Sequence, residues 1–160
     1  MDDAGALCGA ERHSTSRDEP AVTETTDATP AIDLPEVKAE VEAAFARYEE
    51  ALVGNDVATL DGLFLDAPTT IRYGGAENLY GYSEIAAFRA ARPAVGLARR
   101  LARTVITTYG RDMATASTLF YRETAPDRVG RQMQTWIRTP DGWRVVAAHV
   151  SVIEDPDARS

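Results

Sequence analysis

The sequence predicts an α+β fold, and three observations predict it. Apolar residues in the first half recur at spacings of three and four. From Arg99 the period changes to two, the mark of half-buried strands. The predicted strands are joined by short connections, which makes them antiparallel neighbours. Helices first and an antiparallel meander after is the α+β order. The architecture expected is a curved antiparallel sheet wrapped around a long N-terminal helix, leaving a conical cavity.

Each element has a local cause. Residues 1–32 hold acids, Ser, Thr, Pro and Ala with almost no large apolar side chain. They bury too little to offset ordering entropy, so a disordered acidic leader is expected there. The domain is expected over 33–154 and a C-terminal tail over 155–160. Asp33 and Glu36 read as a capping box, with Pro35 tolerated in the first turn. Helix one then carries Val37, Val41, Ala44, Phe45, Tyr48 and Leu52 on one stripe and stops at Gly54-Asn55. Asp56 caps a second helix over 57–65 that turns Leu60, Phe64 and Leu65 inward. A third helix starts at Ser83, runs over 84–91 and ends before Pro93. Strands are expected over 99–109, 113–123, 130–138 and 143–153. The turns between them fall at 110–112, 125–127 and 139–142.

Composition bounds the function. One domain is the default for 160 residues, and 44% hydrophobic with 26% charged residues is ordinary for a globular protein. A net charge of −8 argues against a general nucleic-acid binder. Residues 1–33 alone carry eight acids against Arg12 and Arg17, a net of −6. The single cysteine, Cys8, allows neither an intrachain disulfide nor a metal-thiolate site. No apolar run reaches the roughly 18 residues of a membrane span, and no secretory signal pattern is seen. A cytoplasmic protein with no membrane or nucleic-acid partner is expected.

Residues 69–82 hold the chemistry. A short strand breaks at Gly74-Gly75, where positive φ is cheap, and Asn78, Tyr80 and Tyr82 follow. Binding groups often sit on such loops. Arg72, alternating with Ile71 and Tyr73, either points to solvent or grips an anion with its planar fork. Tyr48 is either a packed core tyrosine or a hydroxyl aimed into the cavity. His149, with Ser151, shares a strand face with Trp143, Val145 and Ala147 in strict alternation. It is either a packed histidine or a proton carrier. Gln132, Gln134 and Trp136 share a face that suits a polar cavity lining or a solvated surface. Asn78 and Tyr80 line the mouth, or Asn78 satisfies turn backbone.

The runs EVxAEVxAAFARYEEAL, TIRYGGAENLYGY, FRAARPAxGL, RTVITTYG, ATASTLFYR and GRQMQTWIRTPDGWRVVAAHVS together cover residues 34–153. In them the chain resembles the AtzH-like, or HpxZ-like (oxalurate catabolism), family of the nuclear transport factor 2-like (SnoaL-like) superfamily. The resemblance implies the cone fold. It implies nitrogen-compound catabolism beside amidases, and a carboxylated urea, 1,3-dicarboxyurea, converted to allophanate. It implies Tyr48 and Arg72 as the essential residues. Whether the step is amide hydrolysis or decarboxylation stays open.

The sequence has no GxGxxG, P-loop, H-E-x-x-H or GxSxG pattern. With one histidine and no cysteine in the domain, no metal site and no cofactor are expected. Two functions compete. One is a small cofactor-free enzyme on a ureide, with Tyr48 and Arg72 catalytic and Asn78, Tyr80, Gln134, Trp136, His149 and Ser151 binding substrate. The other is a non-catalytic cone-fold module that binds a small anion or docks on an amidase. Apolar groups on both sheet faces call for a homodimer or higher oligomer.

Overall fold

A helix is the backbone form that gathers Val37, Val41, Phe45, Tyr48 and Ala51 on one stripe. All five are buried on α1 (Pro35–Val53) in the computed structural model, which describes residues 29–158. The leader expected over 1–32 thus lies mostly outside the described residues. Asn55, with φ 52°, takes the left-handed position after the helix, while Gly54 stays right-handed.

The capping box does not form. Leu34 is the N-cap, and no side chain caps α1. Asp33 is held instead by the sheet. Its N–H donates to the Thr108 carbonyl at 3.1 Å, and its carboxylate accepts from the Thr108 N–H at 2.9 Å. Lys38 Nζ donates to the same carboxylate at 2.9 Å. Two tertiary bonds and an ion pair outcompete the local cap. Asp56 does cap α2 (Val57–Gly62), accepting from Thr59 N–H. This helix ends earlier than expected because Leu63 and Leu65 exchange backbone bonds with Val145.

The central stretch folds as a hairpin rather than strand and loop. β1 (Ile71–Tyr73) pairs antiparallel with β2 (Asn78–Tyr80), and the Gly74 N–H closes the turn on the Glu77 carbonyl at 2.8 Å. α3 (Tyr82–Ala91) starts at Gly81, whose φ of 85° only glycine adopts freely. The meander follows as β3 (Arg100–Tyr109), β4 (Met113–Arg122), β5 (Ala125–Thr139) and β6 (Gly142–Glu154). β5 begins five residues before the expected 130. The turn is Glu123-Thr124, and Arg122 pairs with Ala125. Pro126 falls where β5 has no partner on β4, so its missing N–H costs no ladder bond.

The six strands order as β2-β1-β6-β5-β4-β3, antiparallel except for the parallel β1–β6 pair. This open, curved sheet wraps α1, and the result is the nuclear transport factor 2-like cone. Two bulges bend it. One lies between Ala102 and Val105 of β3, where Arg103 has φ 51°. The other makes Val146 the extra residue of β6, since Thr135 pairs with Ala147 but Trp136 with Val145. The cone is filled by Trp136, Leu60, Ile85, Val37, Val41 and Val145, all fully buried.

The Asp33 carboxyl lies below its ordinary pKa, chiefly through Lys38 and then the Thr108 N–H. A depressed carboxyl stabilises the fold above its ordinary value and loses that stabilisation as the pH falls through the folded-state value. Asp33→Ala is therefore expected to lower the melting temperature near neutral pH. The gap to wild type should close as melting is followed from about pH 7 to about pH 3. A gap that stays constant across that range would exclude a charged role for Asp33.

Candidate functional site

Strand register sorts the candidate residues by face. Directly paired residues point the same way, so one row across the sheet reads Leu79, Arg72, Ala148, Gln134, Ala116, Ile106. This row faces α1. The next reads Asn78, Tyr73, His149, Met133, Ser117, Val105. It faces away. Arg72 and Gln134 thus flank Ala148 on the inner face, two strand spacings, about 10 Å, apart.

Tyr48 meets this row from α1. Its ring is buried against Phe45, Phe64 and Trp136, the last edge-on at 6.4 Å and 90°. Its hydroxyl makes no hydrogen bond among the described residues. Gln134 is 1% exposed, and both polar atoms of its amide are buried without a partner. The Trp136 indole N–H is buried and unpaired as well. Unmade bonds of this kind cost about 1–3 kcal/mol each. Gln132, one row along, is satisfied by Arg99 and Glu49.

Arg72 is held by the Glu77 carboxylate from the hairpin turn and lies 5.3 Å from the Phe88 ring centre. A side chain at position 74 would have to displace that carboxylate from its present place. Two arginines that sequence reasoning missed join it from α3. Arg89 is 3% exposed, lies 4.0 Å over Phe64 and donates to Asp61 at 2.8 Å. Arg92 donates to Asn55 at 3.1 Å, while its Nε is buried and unpaired. Burial pulls the pKa of both down; for Arg92 the charges of Arg72 and Arg89 pull further. Arg89 and Arg92 both feel Tyr48 and Arg72. Three guanidinium groups and a phenol thus share one electrostatic neighbourhood, with only the Asp61 and Glu77 carboxylates set against them by the ion pairs. The signal for Arg89 was available: Ile85, Arg89 and Arg92 follow at spacings of four and three, which puts arginines on an apolar stripe.

The structure does not bring the other candidates into this group. Strict alternation put His149 and Ser151 with Trp143 and Val145. The Val146 bulge shifts the phase by one residue, and a one-residue slip sends every later side chain to the other face. His149 is exposed and its ring stands 6.3 Å from that of Tyr73. Ser151 accepts from Arg131 Nε at 3.1 Å. Asn78 is exposed on the same outer face. Tyr80 is 57% exposed there, and its hydroxyl lies 3.2 Å from that of Tyr73, which raises its pKa. These residues belong to the convex side of the sheet. A 640 Å³ hollow there is lined by Val105, Met133, His149 and Ser151 among others. Neither it nor a second hollow of 570 Å³ is walled by Tyr48 or Arg72. Among the described residues, no group of three or more His, Cys, Asp or Glu could hold a metal ion. No helix among them is long and apolar enough to cross a membrane.

The AtzH-like family profile matches residues 30–156. A crystal structure of a protein of unknown function from the DUF3225 family of Pectobacterium atrosepticum is 59% identical. It aligns over 77% of this chain and 95% of its own, with a TM-score of 0.75. A cystatin-like fold protein of Burkholderia xenovorans is 48% identical over 79% of this chain and 99% of its own, with a TM-score of 0.76. A nuclear transport factor 2-like superfamily protein of Salmonella enterica is 26% identical over 77% and 95%, with a TM-score of 0.59. No curated protein matches the chain.

Because the Gln134 amide bonds to nothing in the protein, Gln134→Leu is expected to keep or raise the melting temperature. Removing an unpaired buried polar group is neutral or stabilising. A drop of more than about 5 °C in a thermal scan, beyond what about 1 kcal/mol would produce, would show that the amide has a structural partner.

Proposed function

We propose a function for this chain, which belongs to the AtzH-like family of nuclear transport factor 2-like proteins: it is a cofactor-free enzyme acting on a small carboxylated urea or related ureide. The observation that carries the reading is the pairing of Arg72 with an orphaned amide, Gln134, across the small Ala148. A carboxylate fits the guanidinium fork. A urea N–H and C=O fit an unpaired amide acceptor and donor, and the Trp136 N–H offers a second donor to the carbonyl. Arg92, with a free Nε, serves a second carboxylate. The occupant is then a dianion carrying an amide, which is the chemistry of a 1,3-dicarboxyurea.

The substrate carboxylate displaces Glu77 from Arg72. Loss of carbon dioxide from an N-carboxylate requires the C–N bond to break and the nitrogen to gain a proton. Tyr48 supplies that proton, the electron pair of the C–N bond goes to nitrogen, and solvent reprotonates the phenolate. Arg89 is positioned by Asp61 and Phe64 rather than offered to the ligand. Its role is to hold positive potential beside the phenolate as it forms. Decarboxylation needs no nucleophile from the protein, which suits a site with no serine or cysteine in it; amide hydrolysis would need a water activated there.

Kinetics test this. Arg72→Ala is expected to abolish turnover of carboxylated ureas with the fold intact. Arg72→Lys should restore little, because an ammonium lacks the planar fork. Tyr48→Phe should cut the rate by about 100-fold or more, the usual reach of a general acid, with melting unchanged because its hydroxyl bonds nothing in the protein. Full activity of Tyr48→Phe would rule out the proton donor.

A second reading rests on the convex face, where Val105 and Met133 are more than half exposed. We assign that face to a second copy of the chain, with an amidase as the competing partner. Light scattering of the purified protein at micromolar concentration is expected to give a dimer or larger. A monodisperse monomer that binds an amidase and turns over nothing by itself would favour the docking module.

A further inference from the structure

The turn between β1 and β2 carries two glycines, and neither Gly74 nor Gly75 lies in the left-handed region of positive φ. The break after Tyr73 therefore owes nothing to that freedom of glycine. Space separates the two positions. A Cβ on Gly75 would meet nothing within 4 Å, whereas one on Gly74 would overlap the Glu77 carboxylate. The room left by Gly74 is the room this carboxylate occupies as it reaches Arg72.

The grip it makes there is slight. Arg72 donates through Nη1 alone, and its other N–H groups have no hydrogen-bond partner among the described residues. The second carboxylate oxygen accepts from the Ala76 N–H at 3.2 Å. Glu49, by contrast, takes both Nε and Nη2 of Arg99 as well as Gln132 Nε2. The Glu77 backbone is fixed by the hairpin, since the Gly74 N–H donates to its carbonyl at 2.8 Å, so only the side chain has to move. Gly75 and Ala76 beside it are exposed, and water is open to a carboxylate that swings out. Arg72 is less free. Its side chain is only 14% exposed, and a mostly buried charge that loses its partner is costly. Another anion can replace Glu77; a neutral group cannot without leaving that charge unpaired. Arg92 is touched by the same exchange. Burial lowers its pKa, the charges of Arg72 and Arg89 lower it further, and Glu77 opposes them.

We infer that Glu77 is a built-in competitor for the ligand: its carboxylate occupies Arg72 while the cone is empty and turns out to solvent when a ligand carboxylate takes its place. This role rests on the reading of Arg72 as the carboxylate seat, and adds that Glu77 opposes the ligand instead of aiming the guanidinium at it. The apparent affinity for an anion is then the intrinsic affinity reduced by the fraction of molecules in which Arg72 is free. A brace that aims the fork gives the opposite sign for the same substitution, because its loss would weaken binding.

Isothermal titration of the full chain with glutarate reads that sign. Glutarate is stable in water and separates two carboxylates by three atoms, as a 1,3-dicarboxyurea does. Glu77→Gln is expected to tighten glutarate binding about tenfold, the gain if Arg72 is free in about one wild-type molecule in ten. Gly74→Ala should tighten it similarly at unchanged net charge, because the new Cβ evicts the carboxylate, and it carries the test if Glu77→Gln fails to fold. Gly75→Ala should bind as wild type does, and Arg72→Ala should abolish binding. Weaker or unchanged binding in both Glu77→Gln and Gly74→Ala overturns the competitor and makes Glu77 a brace, with the enzyme reading still standing on turnover. Tightening in Glu77→Gln alone overturns it too, since the loss of one negative charge would account for the gain. So does an absence of saturable binding by wild type and variants alike, or binding that survives Arg72→Ala. Tightening in both variants without turnover of any carboxylated urea keeps Glu77 as the competitor and removes the enzyme reading.

Discussion

One extra residue in β6, Val146, sets which side chains can meet. Before it, Trp143 and Val145 face α1. After it, Ala148 faces α1, while His149 and Ser151 face away. Without the bulge, Ala148 would turn outward and His149 would stand between Arg72 and Gln134. The grouping of Arg72, Ala148 and Gln134 on one face thus depends on a backbone irregularity, and bulges often re-aim side chains. The same kink helps curve the sheet around α1.

The second constraint is electrostatic. Burying guanidinium groups is costly unless each is paired. Arg89 meets this with Asp61 and the Phe64 face, Arg99 with Glu49, and Arg72 with Glu77. Arg92 is only half met, by a neutral Asn55. The pairings differ in where the acid comes from. Asp61 and Glu49 lie on or beside helices of the core. Glu77 comes from a four-residue hairpin turn opening on Gly74-Gly75. The exchangeable partner is therefore the one on Arg72, where a substrate carboxylate is proposed to enter.

Much of this was legible in the sequence. The stripe on α1 and the change of period at Arg99 give the fold class, because burial patterns follow helix and strand geometry directly. The face that Arg72 takes was not legible, since a three-residue strand has too little alternation to fix it. Three further features were not legible. The Asp33 cap lost to tertiary bonds with Thr108, which no local motif reports. The hairpin at 71–80 looked like strand and loop because β2 is only three residues long. The bulge at Val146 left no mark, since Val145, Val146 and Ala147 are all apolar and alternation runs through them undisturbed. His149 and Ser151 were misplaced by that one residue.

The contrast between Gln134 and Gln132 takes the argument further. They lie on one strand, on one face, two residues apart, in similar burial. Gln132 is locked by Arg99 and Glu49; the Gln134 amide has no hydrogen-bond partner among the described residues. A glutamine serving only the fold would look like the first. The second leaves a buried amide without a hydrogen-bond partner, as Trp136 beside it leaves its N–H. An apolar side chain of like size would remove that cost. A pair of orphaned groups on β5, with the Tyr48 ring packed edge-on to Trp136, is the kind of preorganisation the proposed amide-bearing anion would call for. The adjoining Glu49–Arg99–Gln132 network ties α1 to β5 through the residue directly after Tyr48.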